Sequence, residues 1–376
     1  MGILHKSIQD LDIIFAEDIE REPVGYSFLI VAGAGRGKTT FAYQMMHDYV
    51  TKLRGREFAI YITFEQSAKR LKEQFSRLKA FKENPGIVII DEPFMKQVIR
   101  GKAQDTKKKV EEIEKNLETL KGEVRKKSLA AKFIDKIDEL KTGMDALYEN
   151  AEHIPFGKGE DYEQKAEVEI LKKREDVSID VKKALILGKL AGELGELAER
   201  EHSVREILSQ FKANLELYSK LASDDVFNFI EFVVEDTIAR AQSGDLEEMG
   251  IPKTAKLGCI TVDSMQIVEA EQGISENPDA IRKEMKRFVR PLTEKYHINL
   301  IGLLELRPGQ TIEHIDKLPE AYAFDTTIAL EIEPALDDPH KPLYKIYVGK
   351  HRGRFKKRFW VFEVKEGEGI VLAPEN

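Results

Sequence analysis

The chain of 376 residues contains a single cysteine, Cys259, and one tryptophan, and only 8% of its residues are aromatic. One thiol cannot build a disulfide framework or a cysteine-ligated zinc site, and it fits a reducing, cytoplasmic setting. Long apolar runs are equally scarce. None reaches the roughly 20 residues that cross a bilayer, so no membrane partner is expected. The opening MGILHKSIQDLD has no secretory apolar core, and Lys6 stands where a myristoylation signal needs Ser or Thr. A basic balance is missing too. Against 59 Lys and Arg there are 67 Asp and Glu, a formal net charge of −8, which speaks against a protein that coats nucleic acid over its whole surface. What is abundant is charge itself, at 34% of residues beside 42% hydrophobic. High charge with few aromatics fits long exposed helices attached to a globular core, and the length has room for two or three domains' worth of that core.

Within this background one stretch stands out, FLIVAGAGRGKTTFAYQMM from Phe28 to Met46. The pattern G-x-x-x-x-G-K-[ST] falls on Ala32 to Thr39, with Ala32 in place of the first glycine. Ser27 to Val31 reads as a fully buried strand, and Thr39 to Val50 as a helix. Strand, glycine loop and helix N-terminus are what an anion needs, because glycines let backbone N–H groups curl inward and the helix end is electropositive. Gly33, Ala34, Gly35, Arg36, Gly37, Lys38, Thr39 and Thr40 are the expected phosphate cradle. Lys38 would reach the β- and γ-phosphates, and the Thr39 hydroxyl would hold Mg²⁺.

Alternating strand and helix signals continue to about residue 95, with strands at Phe58–Gln66 and Gly86–Pro93 around a helix bearing Leu71, Phe75 and Leu78. From about residue 103 the pattern changes to heptads: Val110, Ile113, Leu117, Leu120 and Val124, then Phe133 to Leu147, then Leu187 to Tyr218. A segment with Pro155, Gly157 and Gly159 separates the runs. Two runs of about 40 residues fold back most simply as an antiparallel coiled-coil arm of roughly 60 Å; packing of each run on another subunit is the alternative. Strand and helix signals then resume: a helix over 224–242, a buried strand ending in Asp263, a helix over 278–297, strands over 298–306 and 325–333, and a β-rich tail. The expected organisation is an ATPase-type core over 1–100 and 223–376 with a helical insertion over 101–222.

Asp263 closes the apolar strand CITVD, where the second acidic group of a phosphate-loop enzyme holds the Mg²⁺ shell. Glu65 closes the strand next in sequence after the loop helix, and the residue after Asp263 is Ser264, so Glu65 is the candidate base for an attacking water. The succession LDIIFAEDIE, phosphate loop, YITFEQS, CITVDSM, IGLLEL, FDTTIALE and VGKHRGRF resembles the KaiC and RadA branch of the RecA superfamily over about residues 10–95 and 223–372. The resemblance implies an α/β fold with a central mostly parallel sheet wrapped by helices, a hexameric ring, and ATP bound between subunits. It also implies a Lys-x-Arg pair, here Lys350 and Arg352, reaching a neighbour's γ-phosphate, and a γ-phosphate-sensing polar residue at Glu305. Two functions follow as alternatives. One is an ATP-driven assembly or signalling switch whose arm binds a protein partner. The other is a DNA-dependent ATPase in recombination or repair, suggested by the mixed basic and aromatic run KHRGRFKKRFW. The acidic balance and the lack of a cysteine zinc finger favour the switch. An SMC-type ATPase is excluded, since no L-S-G-G signature lies between the heptads and Asp263.

Overall fold

The computed structural model describes residues 25–53, 55–76, 86–91, 226–271, 273–274, 277–307, 310, 312–334, 342–351, 359–365 and 369–372, with isolated residues between 94 and 111. The chain divides into two units, residues 1–92 with 234–376, and residues 93–233. The sheet and every site residue below lie in the first. The heptad runs, the expected boundaries at 100/101 and 222/223, and the arm itself fall outside the described residues.

The first unit is built on one nine-stranded sheet: β1 (Ser27–Ala32), β2 (Glu57–Thr63), β3 (Ile87–Ile90), β4 (Lys256–Asp263), β5 (Asn299–Glu305), β6 (Thr326–Pro334), β7 (Pro342–His351), β8 (Phe359–Lys365) and β9 (Gly369–Leu372). The order across the sheet is β3-β2-β4-β5-β1-β6-β7-β8-β9. Strands β3 to β6 in that order pair in parallel, and β6 to β9 continue as antiparallel neighbours. The fold is thus mixed α/β with a mostly parallel sheet, as a RecA-like core requires, and its β-rich tail is the antiparallel extension. The two outermost strands, β3 and β9, are four residues each.

Parallel strands covered on both faces need apolar side chains pointing both ways, so they read as unbroken runs instead of alternation. The run SFLIVA in β1 is buried at every position, and KLGCITVD in β4 at every position after its first. Helices α1 (Lys38–Leu53) and α2 (Ala68–Ser76) follow β1 and β2. The ring of Tyr43 on α1 stacks on Phe75 of α2 at 3.6 Å. Three more helices stand among the described residues: α3 (Val226–Ser243), which enters the first unit at Val234, α4 (Met265–Glu271) and α5 (Pro278–Tyr296). Asn277 caps α5 by accepting N–H bonds from Asp279 and Ala280, both at 3.1 Å, and Pro278 takes the first turn, where no N–H is needed. Ile281, Met285, Phe288, Val289 and Leu292 recur every three or four residues and form the buried stripe of α5.

One glycine in the sheet is there for room. A Cβ on Gly302 in β5 would stand 2.7 Å from Phe324 Cζ and 3.1 Å from Met265 Cγ. Its absence lets the Phe324 ring and the start of α4 close over β5, beside the strand that carries the phosphate loop.

Candidate functional site

The register of the parallel strands sets the site before any side chain is considered. Ala32 pairs with Glu305, Thr63 with Asp263, and Asp263 with Leu303. The carboxyl ends of β1, β2, β4 and β5 therefore meet at one edge, with a single strand, β5, between the loop strand and the acidic strand. That edge is where open α/β sheets bind ligands.

At this edge the loop turns on Gly35 and Gly37, whose φ values of 66° and 78° lie in the left-handed region. Arg36 N–H donates to Gly33 O at 3.3 Å, closing the turn, and Phe41 N–H donates to Gly37 O at 2.9 Å as α1 begins. Ala34, Gly35 and Arg36 are exposed, whereas Lys38 is buried. The Lys38 ammonium folds back over the loop and donates to Ala32 O at 3.3 Å and Gly33 O at 3.1 Å. Thr40 accepts a bond from Gln74 Nε2 of α2 at 3.3 Å. These are the features of a phosphate cradle: a concave backbone, a helix N-terminus and a cation whose present partners are neutral carbonyls and one carboxylate.

Thr39 and Asp263, expected to share a metal, are in contact: the Thr39 hydroxyl donates to Asp263 Oδ2 at 3.1 Å. The same oxygen accepts from Tyr61 OH at 2.6 Å. Asp263 is only 1% exposed. Burial above all, and then the charge of Glu65, push its carboxyl up to about 6, while the Tyr61 and Thr39 hydrogen bonds and Lys38 pull it down. Burial first, and then Asp263, raise the Tyr61 phenol well above its ordinary range, so it stays a proton donor. Among the described residues no cluster of three His, Cys, Asp or Glu side chains could hold a metal. The chain offers two hard oxygens, Thr39 Oγ1 and Asp263, which suits Mg²⁺, an ion that takes one or two protein ligands and completes its shell with phosphate and water.

Glu65 is exposed two residues beyond the end of β2. Phe64 N–H bonds Asp263 O at 2.7 Å, and Thr63 Oγ1 exchanges bonds with the backbone of Gln66, both at 3.1 Å. This turn presents Glu65 at the edge within electrostatic reach of Asp263. Gln66 Oε1 is buried with no hydrogen-bond partner in the structure.

Glu305 lies 3.5 Å from the Lys38 ammonium, and its backbone oxygen accepts a bond from Gln266 Nε2 of α4. Two residues on, Arg307 bridges Glu269 of α4 at 2.8 Å and Glu320 at 3.5 Å. Sequence reasoning missed this trio, and it missed Tyr61. Tyr61 had a legible signal, since it stands two residues before Thr63 and thus on the same face of β2. Asp91, one residue past the end of β3, accepts Ala68 N–H at 2.7 Å and caps α2.

Lys350 is half-buried, and its ammonium donates to Ala321 O at 2.8 Å and Phe324 O at 2.7 Å of its own chain. Arg352 lies outside the described residues, as does most of the basic run around it. Of the aromatics in that run, Trp360 is buried and pairs with Ile346, which removes it as a stacking platform.

Residues 4–149 match the family model described as ATPase: KaiC. Over that span the chain is similar to KaiC-type P-loop ATPases. The matched span holds the loop, Glu65 and β3; Asp263 and Glu305 lie beyond it and are brought to the same edge by the parallel sheet, whereas Lys350 on antiparallel β7 is in register with Thr327 and, through it, with Leu29, toward the other end of the strands. No curated protein matches the chain.

Proposed function

We propose that this domain binds ATP with Mg²⁺ and hydrolyses it, and that the nucleotide drives assembly of a homo-oligomeric ring, making the protein a switch whose coiled-coil arm engages a protein partner. The observation that carries the reading is the Thr39 to Asp263 hydrogen bond at 3.1 Å. It joins the first turn of the loop helix to the acid of β4, which is separated from the loop strand by β5, with the Lys38 ammonium over the same loop.

The backbone N–H groups from Gly33 to Thr40 hold the phosphates, and Lys38 neutralises the β- and γ-phosphates. Thr39 Oγ1 and Asp263 offer the protein's ligands to Mg²⁺, which when bound offsets phosphate charge. Glu65 takes a proton from water as its oxygen attacks the γ-phosphorus and the bond to the bridging oxygen of ADP breaks. Exposure suits Glu65 to this task, because water reaches it. Lys350 and Arg352 serve a neighbour's γ-phosphate, and Lys350 would give up two carbonyls for that phosphate. A cation there stabilises charge on the transferred group.

Light scattering with ADP, with a slowly hydrolysed ATP analogue and without nucleotide tests the assembly. The expected result is a nucleotide-dependent step to a hexamer-sized species. A monomer or dimer under all three conditions would leave Lys350 and Arg352 with no neighbour to serve and would sink the ring.

A further inference from the structure

A carboxylate, Glu305, stands 3.5 Å from the phosphate-loop lysine. Glu305 is fixed through its backbone from both sides. It pairs with Ala32 in register, Leu306 N–H bonds Ala32 O at 3.0 Å, and Gln266 Nε2 bonds its carbonyl. Only rotation of the side chain can withdraw the carboxylate from Lys38, 3.5 Å away. The lysine side chain is 8% exposed and the glutamate side chain 44%, so the pair opens to solvent on the glutamate's side, from which a ligand arrives.

The chemistry of the two candidate ligands differs at this spot. A diphosphate ends at the β-phosphate, and an ammonium with three donors can serve that phosphate and Glu305 together. A triphosphate adds a further anionic group against the same ammonium, and a carboxylate there repels it. A carboxylate presents acceptor oxygens where a neutral amide would present donors, so the two side chains meet a γ-phosphate in opposite ways. We infer that Glu305 is a specificity-determining residue: it is the built-in counter-ion of Lys38, it sets the site against triphosphate relative to diphosphate, and its expulsion is how the γ-phosphate is registered.

This inference rests on the ATP reading above. Its test is calorimetric titration of the full chain with Mg²⁺ and either ADP or a non-hydrolysable β,γ-imido triphosphate, comparing the parent with Glu305→Gln and Glu305→Ala. Glu305→Gln should tighten the triphosphate roughly tenfold, the yield of removing a like charge and gaining a donor, and move ADP by less than about twofold. Glu305→Ala, which removes the charge alone, should tighten it about threefold. Equal shifts for both nucleotides, or weaker triphosphate binding in the alanine variant, would overturn charge competition while leaving the ATPase assignment intact. A parent chain that binds neither nucleotide would sink the ATPase reading and this inference with it.

Discussion

Two buried carboxyl centres sit on the single segment formed by β4 and α4, and they are resolved in opposite ways. Asp263 is met by two neutral hydroxyls, Tyr61 and Thr39, on one oxygen. Glu269 is met by a guanidinium, Arg307 at 2.8 Å, and shares it with Glu320. Burial first, then Glu320, raise the Glu269 carboxyl to about 8 against the pull of Arg307. The hydroxyls satisfy hydrogen bonding at Asp263 without supplying charge, which leaves room there for the cation proposed above. At Glu269 the cation is already part of the chain, and a retained proton balances the second acid. On the proposed reading, the difference separates an acid open to a ligand from one closed within the fold, and burial alone does not distinguish the two.

The sharpest way to break this comparison is through turnover. Glu65→Gln, beside the open centre, should lower steady-state ATP hydrolysis by about 10²–10⁴-fold, the usual contribution of a positioned base, with nucleotide affinity nearly unchanged. Glu269→Gln should stay within roughly threefold of the parent in the same phosphate-release assay. Hydrolysis at the parent rate by the Glu65 variant would remove it as the base.

Stability reverses the ranking. Arg307→Met leaves Glu269 and Glu320, which are 0% and 2% exposed, without their shared cation. Breaking a buried pair costs about 3–5 kcal/mol, and the guanidinium is partly exposed, so a loss of roughly 2–3 kcal/mol is expected in chemical denaturation. A neutral result would mean that the pair is held by its proton alone.

The pH dependence of stability is a finer probe of the closed centre. In the unfolded chain Glu269 releases its proton near 4.5, and in the folded chain near 8. Between those values the unfolded chain binds fewer protons, so stability from this group is fullest below 4.5 and falls as pH rises to about 8. Glu269→Gln, neutral throughout, should flatten the decline, which is on the order of 1–2 kcal/mol once relaxation is allowed for. Melting temperatures of both chains across that range read it directly.

The smallest expected effect returns to the open centre. Tyr61→Phe removes one buried donor to Asp263 and should cost about 1–2 kcal/mol of stability, measurable by urea unfolding. Nucleotide binding should change little, because Thr39 and Lys38 remain.

Much of this edge was legible in the sequence because its parts carry strong local signals. The loop lies between an unbroken apolar strand and an amphipathic helix, and the structure places that strand at Ser27–Ala32 and the helix at Lys38–Leu53. Asp263 and Glu65 announce themselves as acids that end apolar runs. Helix α4 was not visible, since its seven residues directly follow β4 and MQIVEAE continues the apolar run too briefly to show a helical period. The trio of Glu269, Arg307 and Glu320 was illegible for a different reason. Its members come from three separate segments, and no local pattern pairs residues so far apart in sequence. Strand order was beyond periodicity too, because crossover connections leave no mark in hydrophobic spacing.

The two outermost strands of the sheet, β3 and β9, run only four residues each. An outer strand offers unpaired backbone groups to any other chain with a free edge, and length decides how firmly such a template can hold a stranger. With edges this short among the described residues, the sheet has little with which to zip onto a second copy of the chain.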